Sequence, residues 1–97
     1  MPESGASSPD YSLYILRCAD GSLYTGIAID VDSRLVEHES GRRGAKYLRG
    51  RAPFRLVFKA QVGDRSEAQR AEYRVKRLDR AEKLRLIAGE LSLGALG

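Results

Sequence analysis

Apolar positions fall in short blocks along this chain, and each block has its own period. Tyr11 to Cys18 (Tyr-Ser-Leu-Tyr-Ile-Leu-Arg-Cys) carries aromatic and branched side chains on both parities, which predicts a strand apolar on both faces. Ala19-Asp20-Gly21-Ser22 is a hairpin turn signal. Leu23 to Ile29 predicts the return strand, interrupted by Gly26. Asp30 is placed to cap a helix over Val31 to Ser40, with Gly41 as its stop. Gly41 to Arg55 has no period and predicts a loop, and Leu56 to Val62 predicts a third strand. Ser66 with Gln69 has the spacing of a capping box for a long helix reaching about Leu78. Asp79 to Ala88 predicts a second helical stretch after a break.

This order predicts an α+β fold, a three-stranded, mainly antiparallel sheet flanked by helices. A chain of 97 residues is expected to form one small domain. Its expected limits are residues 11–88, between an unordered Ser/Pro/Gly-rich lead at 1–10 and a short, weakly apolar tail at 89–97.

The length of the hairpin loop decides which strand residues share a face, because side chains alternate. A two-residue Asp20-Gly21 loop sets Tyr24 opposite Arg17 and sends Tyr14 and Tyr24 to opposite sides. A three-residue Ala19-Asp20-Gly21 loop, with Gly21 left-handed, sets Tyr24 opposite Leu16 and Tyr14 opposite Gly26. Both rings then share a face, and the missing side chain at Gly26 leaves space beside Tyr14 that a phosphate could enter. Either tyrosine taken alone is an ordinary strand residue.

Charge adds a partner class. The net charge is +4, and 13 of the 17 basic residues are Arg, whose planar fork suits phosphate oxygens. Gly41 to Arg55 contains no acid, and Arg42, Arg43, Lys46, Arg49 and Arg51 are its candidate nucleic-acid contacts. Cys18 is the sole cysteine, which excludes an internal disulfide and a cysteine zinc site and reads as a small buried hydrophobe. The N-terminus has neither a basic nor an apolar leader block, and no apolar run is long enough for a bilayer, so a cytoplasmic location is expected.

Three further residues invite chemistry. Arg34 and His38 are four apart, so they stack on one helix face beside the Val31/Leu35 stripe. Arg34 can bind a phosphate bidentately, and His38 can hold a phosphate or shuttle a proton. Glu72 borders the apolar stripe Ala68, Ala71, Val75, Leu78. A carboxylate there calls for a salt bridge or a metal ion. Glu67 lies near its helix start, where the macrodipole accounts for an acid.

Together, Ser12-Leu13-Tyr14, Tyr24-Thr25-Gly26, Arg34, His38 and Glu72 resemble the core of the GIY-YIG nucleases. Asp20-Gly21, Gly44-Ala45-Lys46-Tyr47 and Arg65-Ser66-Glu67-Ala68 are similar to the small stand-alone bacterial members, and the resemblance spans Tyr11 to about Ile87. The first motif reads Ser-Leu-Tyr instead of Gly-Ile-Tyr. Ile27 stands where the incision domain of DNA excision repair carries a lysine, and the family's later asparagine has no clear counterpart. The resemblance implies a metal-dependent endonuclease hydrolysing phosphodiester bonds, in DNA before RNA. It implies Tyr14, Tyr24, Arg34, His38 and Glu72 as catalytic residues, Glu72 as ligand to Mg²⁺ or Mn²⁺, and Tyr14 as base with Tyr24 in support. With no separate recognition domain in the matched span, specificity is expected from a protein partner. Two other readings remain open: a non-catalytic nucleic-acid-binding module, and a subunit active only with its partner.

Overall fold

The structure, a computed structural model, describes residues 10–40, 48 and 50–96. Three strands, β1 (Tyr11–Arg17), β2 (Leu23–Ala28) and β3 (Arg55–Gly63), form one antiparallel sheet in the order β2-β1-β3. Helices α1 (Val31–Ser40), α2 (Arg65–Lys76) and α3 (Arg80–Ile87) follow the expected ββαβαα order, and a 3₁₀ turn covers Leu93–Leu96.

The central strand β1 is apolar on both faces because both are covered. On one face Tyr14, Leu16 and Cys18 pack with Val31 of α1 and with Leu48. On the other, Leu13 and Ile15 pack with Val75 of α2 and Leu86 of α3. Leu13, Ile15 and Leu16 have no solvent exposure, and each such side chain contributes roughly 1.5–3 kcal/mol through burial. Cys18 is a buried free thiol, as expected.

The β1–β2 turn has the three-residue form. Cys18 N–H donates to the Ser22 carbonyl at 2.9 Å and Gly21 N–H to the Cys18 carbonyl at 2.9 Å. Gly21 has φ 85°, a conformation that costs glycine least. Asp20 accepts from the Ser22 N–H at 3.0 Å and the Ser22 hydroxyl at 2.6 Å. Tyr24 therefore pairs with Leu16, and Tyr14 with Gly26.

Asp30 caps α1 by accepting from the Ser33 N–H at 3.1 Å. The expected stop at Gly41 lies outside the described residues. The fold departs from the sequence pattern at two places. The box that starts α2 is Asp64 with Glu67, not Ser66 with Gln69. Asp64 accepts from the Glu67 N–H at 2.8 Å, and Glu67 accepts from the Asp64 N–H at 3.0 Å. The Ser66 hydroxyl instead accepts from Arg70 at 2.9 Å. The tail also contributes more than its weak pattern suggested: Leu91, Leu93 and Leu96 pack against the Leu13/Ile15 cluster. The break between α2 and α3 is real, with Asp79 and Glu82 forming a second capping box. Among the described residues no helix is long and apolar enough to cross a membrane.

Candidate active site

The site begins at a missing side chain. Tyr14 and Gly26 face each other across β1 and β2, and the Tyr14 ring fills the space that Gly26 leaves. A Cβ added at Gly26 would lie 2.5 Å from Tyr14 Oη and 2.6 Å from Cζ. The proposed phosphate slot beside the ring is thus a seat for the ring itself. The seat carries the Tyr14 hydroxyl across the backbone of β2, away from its own strand.

There it meets α1. Tyr14 Oη and His38 Nε2 are 2.8 Å apart. Tyr14 is 1% exposed and His38 4%, so this hydrogen bond is buried within the fold. Tyr24 completes an aromatic triangle, with ring centroids 6.3 Å from Tyr14 and 5.7 Å from His38, and Tyr14 to His38 at 6.1 Å. Such tilted and edge-on arrangements suit aromatic quadrupoles.

Burial sets the protonation states. It pushes Tyr14 up to about 12, helped by Tyr24 and Glu72 and opposed by Arg34. Burial likewise raises Tyr24, while Lys76 and Arg34 pull it down. His38 is lowered, first by burial and then by Arg34. Near neutral pH, Tyr14 therefore keeps its proton and His38 is neutral. Arg34 also hydrogen-bonds Tyr14, and an arginine only donates, so with the His38 proton on Nδ1 the hydroxyl donates to Nε2.

A pH dependence of stability follows. A histidine whose folded pKa lies below its unfolded value stabilises the fold above the unfolded value, about 6.5. That contribution is lost as pH falls through the folded value, because the unfolded chain takes up the proton first. Denaturant unfolding from pH 7.5 downward should show stability declining below about 6.5, with a shallower decline in His38→Gln. Identical pH profiles for the two proteins would show that His38 is not buried in its neutral form.

Arg34 and Glu72 reach the tyrosines from two different helices. Arg34, half-buried on α1, ion-pairs with Glu37 at 2.9 Å, and its charge acts on Tyr14, Tyr24 and His38 alike. Glu72 comes from α2, which packs against β2. Its side chain is 24% exposed and pairs with Lys76 at 3.3 Å. Its charge is felt by both tyrosines. The fold thus converges all five residues singled out in the sequence.

The basic segment is only partly visible. Arg42, Arg43, Lys46 and Arg49 lie outside the described residues. Arg51 is tied to the hairpin: its guanidinium donates to Asp20 at 2.5 Å, and its carbonyl accepts from the Ala19 N–H at 2.9 Å. Sequence reasoning passed over Lys76, although its place four residues after Glu72 is an ion-pair spacing.

Comparison with known proteins agrees with this geometry. The model of the GIY-YIG catalytic domain matches residues 10–85. The chain belongs to the GIY-YIG family. Among relatives in the family, the UPF0213 protein of Cronobacter sakazakii is 51% identical over 87 residues, covering 90% of each chain. The UPF0213 protein YhbQ of Escherichia coli K12 is 58% identical over 76 residues, covering 78% of this chain and 75% of the relative. The solution NMR structure of a UPF0213 protein from Bacillus halodurans superposes with TM-score 0.54 at 46% identity, covering 90% of this chain and 92% of that one. An E. faecalis protein, also solved by NMR, gives TM-score 0.60 at 37% identity, covering 84% and 86%. Membership in the GIY-YIG family points to a nuclease type of function and to nucleic acid as the partner.

Proposed function

We propose that this protein is a metal-dependent endonuclease that hydrolyses phosphodiester bonds, with DNA as the substrate ahead of RNA. The observation that carries the reading is the Tyr14–Tyr24–His38 triangle with one cation, Arg34, and one carboxylate, Glu72, acting on both phenols. Buried structural tyrosines do not need either charge.

Among the described residues no group of three or more His, Cys, Asp or Glu could hold a metal ion. The donor set is Glu72, a single hard oxygen ligand. That fits Mg²⁺ or Mn²⁺ held by one carboxylate and completed by substrate phosphate and water, but not a closed all-protein cage. When bound, such an ion neutralises charge on the phosphate oxygens.

The chain's own residues do the rest. Arg34 would hold a non-bridging oxygen of the scissile phosphate and stabilise the charge that builds as water attacks in line. Tyr14, held near 12, is no standing phenolate, so burial works against the simplest role for it as base. Its hydrogen bond to His38 offers a relay. Once substrate binding admits water to the buried Tyr14 hydroxyl, the attacking water would give its proton to Oη as the Tyr14 proton passes to His38 Nε2, and no free phenolate is needed. Tyr24 would orient the water or the phosphate beside it.

Single-stranded, duplex and branched oligonucleotides incubated with the protein and Mg²⁺ or Mn²⁺ test the proposal. Cleavage of any one form supports it. Tight binding with none of them cut favours the non-catalytic binding module.

The basic segment should supply affinity. Replacing Arg42, Arg43 and Lys46 with Ala should lower the log–log salt slope of binding by about 0.7 to 0.9 for each phosphate that is no longer neutralised. A slope equal to that of the wild type would place the main phosphate-binding cations elsewhere.

A further inference from the structure

A second cationic feature lies on the far side of Tyr24. Leu23, Tyr24 and Thr25 of β2, Lys76 near the end of α2, and Lys83 of α3 line a cleft of about 330 Å³. Two of these five side chains are ammonium groups, and none is acidic. Among the described residues β2 is an edge strand of the sheet, so the cleft lies at that edge. The ordinary explanation covers only one of the lysines. Lys76 lies in the last turn of α2, where a cation complements the helix dipole. Lys83 lies in the first half of α3, where that dipole gives a cation no advantage, and among the described residues it forms no ion pair.

Tyr24 is the wall shared by this cleft and the aromatic triangle. We propose that Lys76 and Lys83, over the Tyr24–Thr25 floor, form a phosphate subsite that grips the nucleic-acid backbone next to the scissile bond. The subsite rests on the nuclease reading for its register and on the two lysines for its chemistry.

The subsite also links strand binding to Glu72. Without a strand, the Lys76 ammonium lies on the Glu72 carboxylate at 3.3 Å. Turning to a phosphate takes that cation away and leaves the carboxylate free for a divalent ion. Strand and ion then favour each other's binding, by the same factor in both directions.

The test is binding alone, with chelator present. A labelled single-stranded oligonucleotide is titrated by anisotropy across salt against wild type, Lys83→Ala, Lys83→Glu and Arg85→Ala. Arg85 is the control: a cation on the same helix, outside the cleft and paired with Glu90 at 3.9 Å. Lys83→Ala should lower the salt slope by about 0.7, Lys83→Glu should weaken binding further, and Arg85→Ala should do neither. Unchanged slopes in both Lys83 variants overturn the subsite, and so does an equal loss in Arg85→Ala, which would show net charge alone at work. A wild type that binds no oligonucleotide overturns the subsite together with the nuclease reading. A wild type that binds through Lys83 but cuts nothing when metal is added overturns only the nuclease reading. Lys76→Met, in the absence of nucleic acid, should bind Mn²⁺ more tightly than wild type by electron paramagnetic resonance. Equal affinity would overturn the link to Glu72.

Discussion

Glu72→Ala should bind nucleic acid about as tightly as the wild type and cleave it at least about a hundred-fold more slowly, the scale on which loss of transition-state charge stabilisation acts. Affinity should survive because phosphate contacts from cationic side chains carry that term, and the replacement removes an acid. The fold should survive because Glu72 is partly exposed and its ion pair is with the surface Lys76, a pair worth well under about 1 kcal/mol. Cleavage should fail because Glu72 is the proposed ligand of the divalent ion and its charge acts on both tyrosines. Single-turnover cleavage beside anisotropy measures both quantities on one preparation. Full cleavage by Glu72→Ala would remove this residue from the site. Equal loss of binding and cleavage would assign it to the fold.

Gly26→Ala should be the most damaging small change in the sheet. Glycine inside a strand is normally a weakness, and alanine there would gain roughly 0.5–1 kcal/mol. Here the new Cβ would meet Tyr14 Oη at 2.5 Å and Cζ at 2.6 Å. The ring is the far end of a side chain, but it is 1% exposed, bonded to His38 and flanked by Tyr24, so it cannot move without disturbing those contacts. Overpacking of this kind costs about 1–3 kcal/mol, so the clash decides the sign. Cleavage should fall with it, because the displaced ring gives up its 2.8 Å hydrogen bond to His38. Urea unfolding checks the stability, and Gly26→Ala combined with Tyr14→Leu should recover most of it without recovering cleavage. A single Gly26→Ala variant as stable and active as the wild type would show that the ring does not need its seat.

Much of this arrangement is legible in the sequence. The parity of the hairpin follows from Asp20-Gly21 and strand alternation, because a left-handed glycine in a three-residue loop fixes which residues face each other. The stacking of Arg34 on His38, and the border position of Glu72, follow from helical periodicity. Less legible is what fills a gap. The absence of a side chain at Gly26 is compatible with an entering phosphate and with the Tyr14 ring, and only packing chooses between them. The burial of Tyr14 follows from that choice and raises its pKa. The start of α2 is ambiguous for a related reason: Ser66 and Asp64 both cap well, and the winner is the residue whose backbone leaves the helix. At residues 91–96 a sparse leucine pattern has no period, yet the leucines pack because β1 and α2 leave apolar surface to cover.

The central claim is that this site cuts a phosphodiester bond with the help of a divalent ion, and the metal dependence of cleavage tests it most directly. Wild type in excess over a labelled oligonucleotide should cut at a rate that rises and saturates with Mn²⁺ or Mg²⁺. Excess chelator should stop it, and restoring the ion should restore it. Binding that persists with no cleavage at any concentration of either ion, or cleavage that runs unchanged in chelator, would contradict the account.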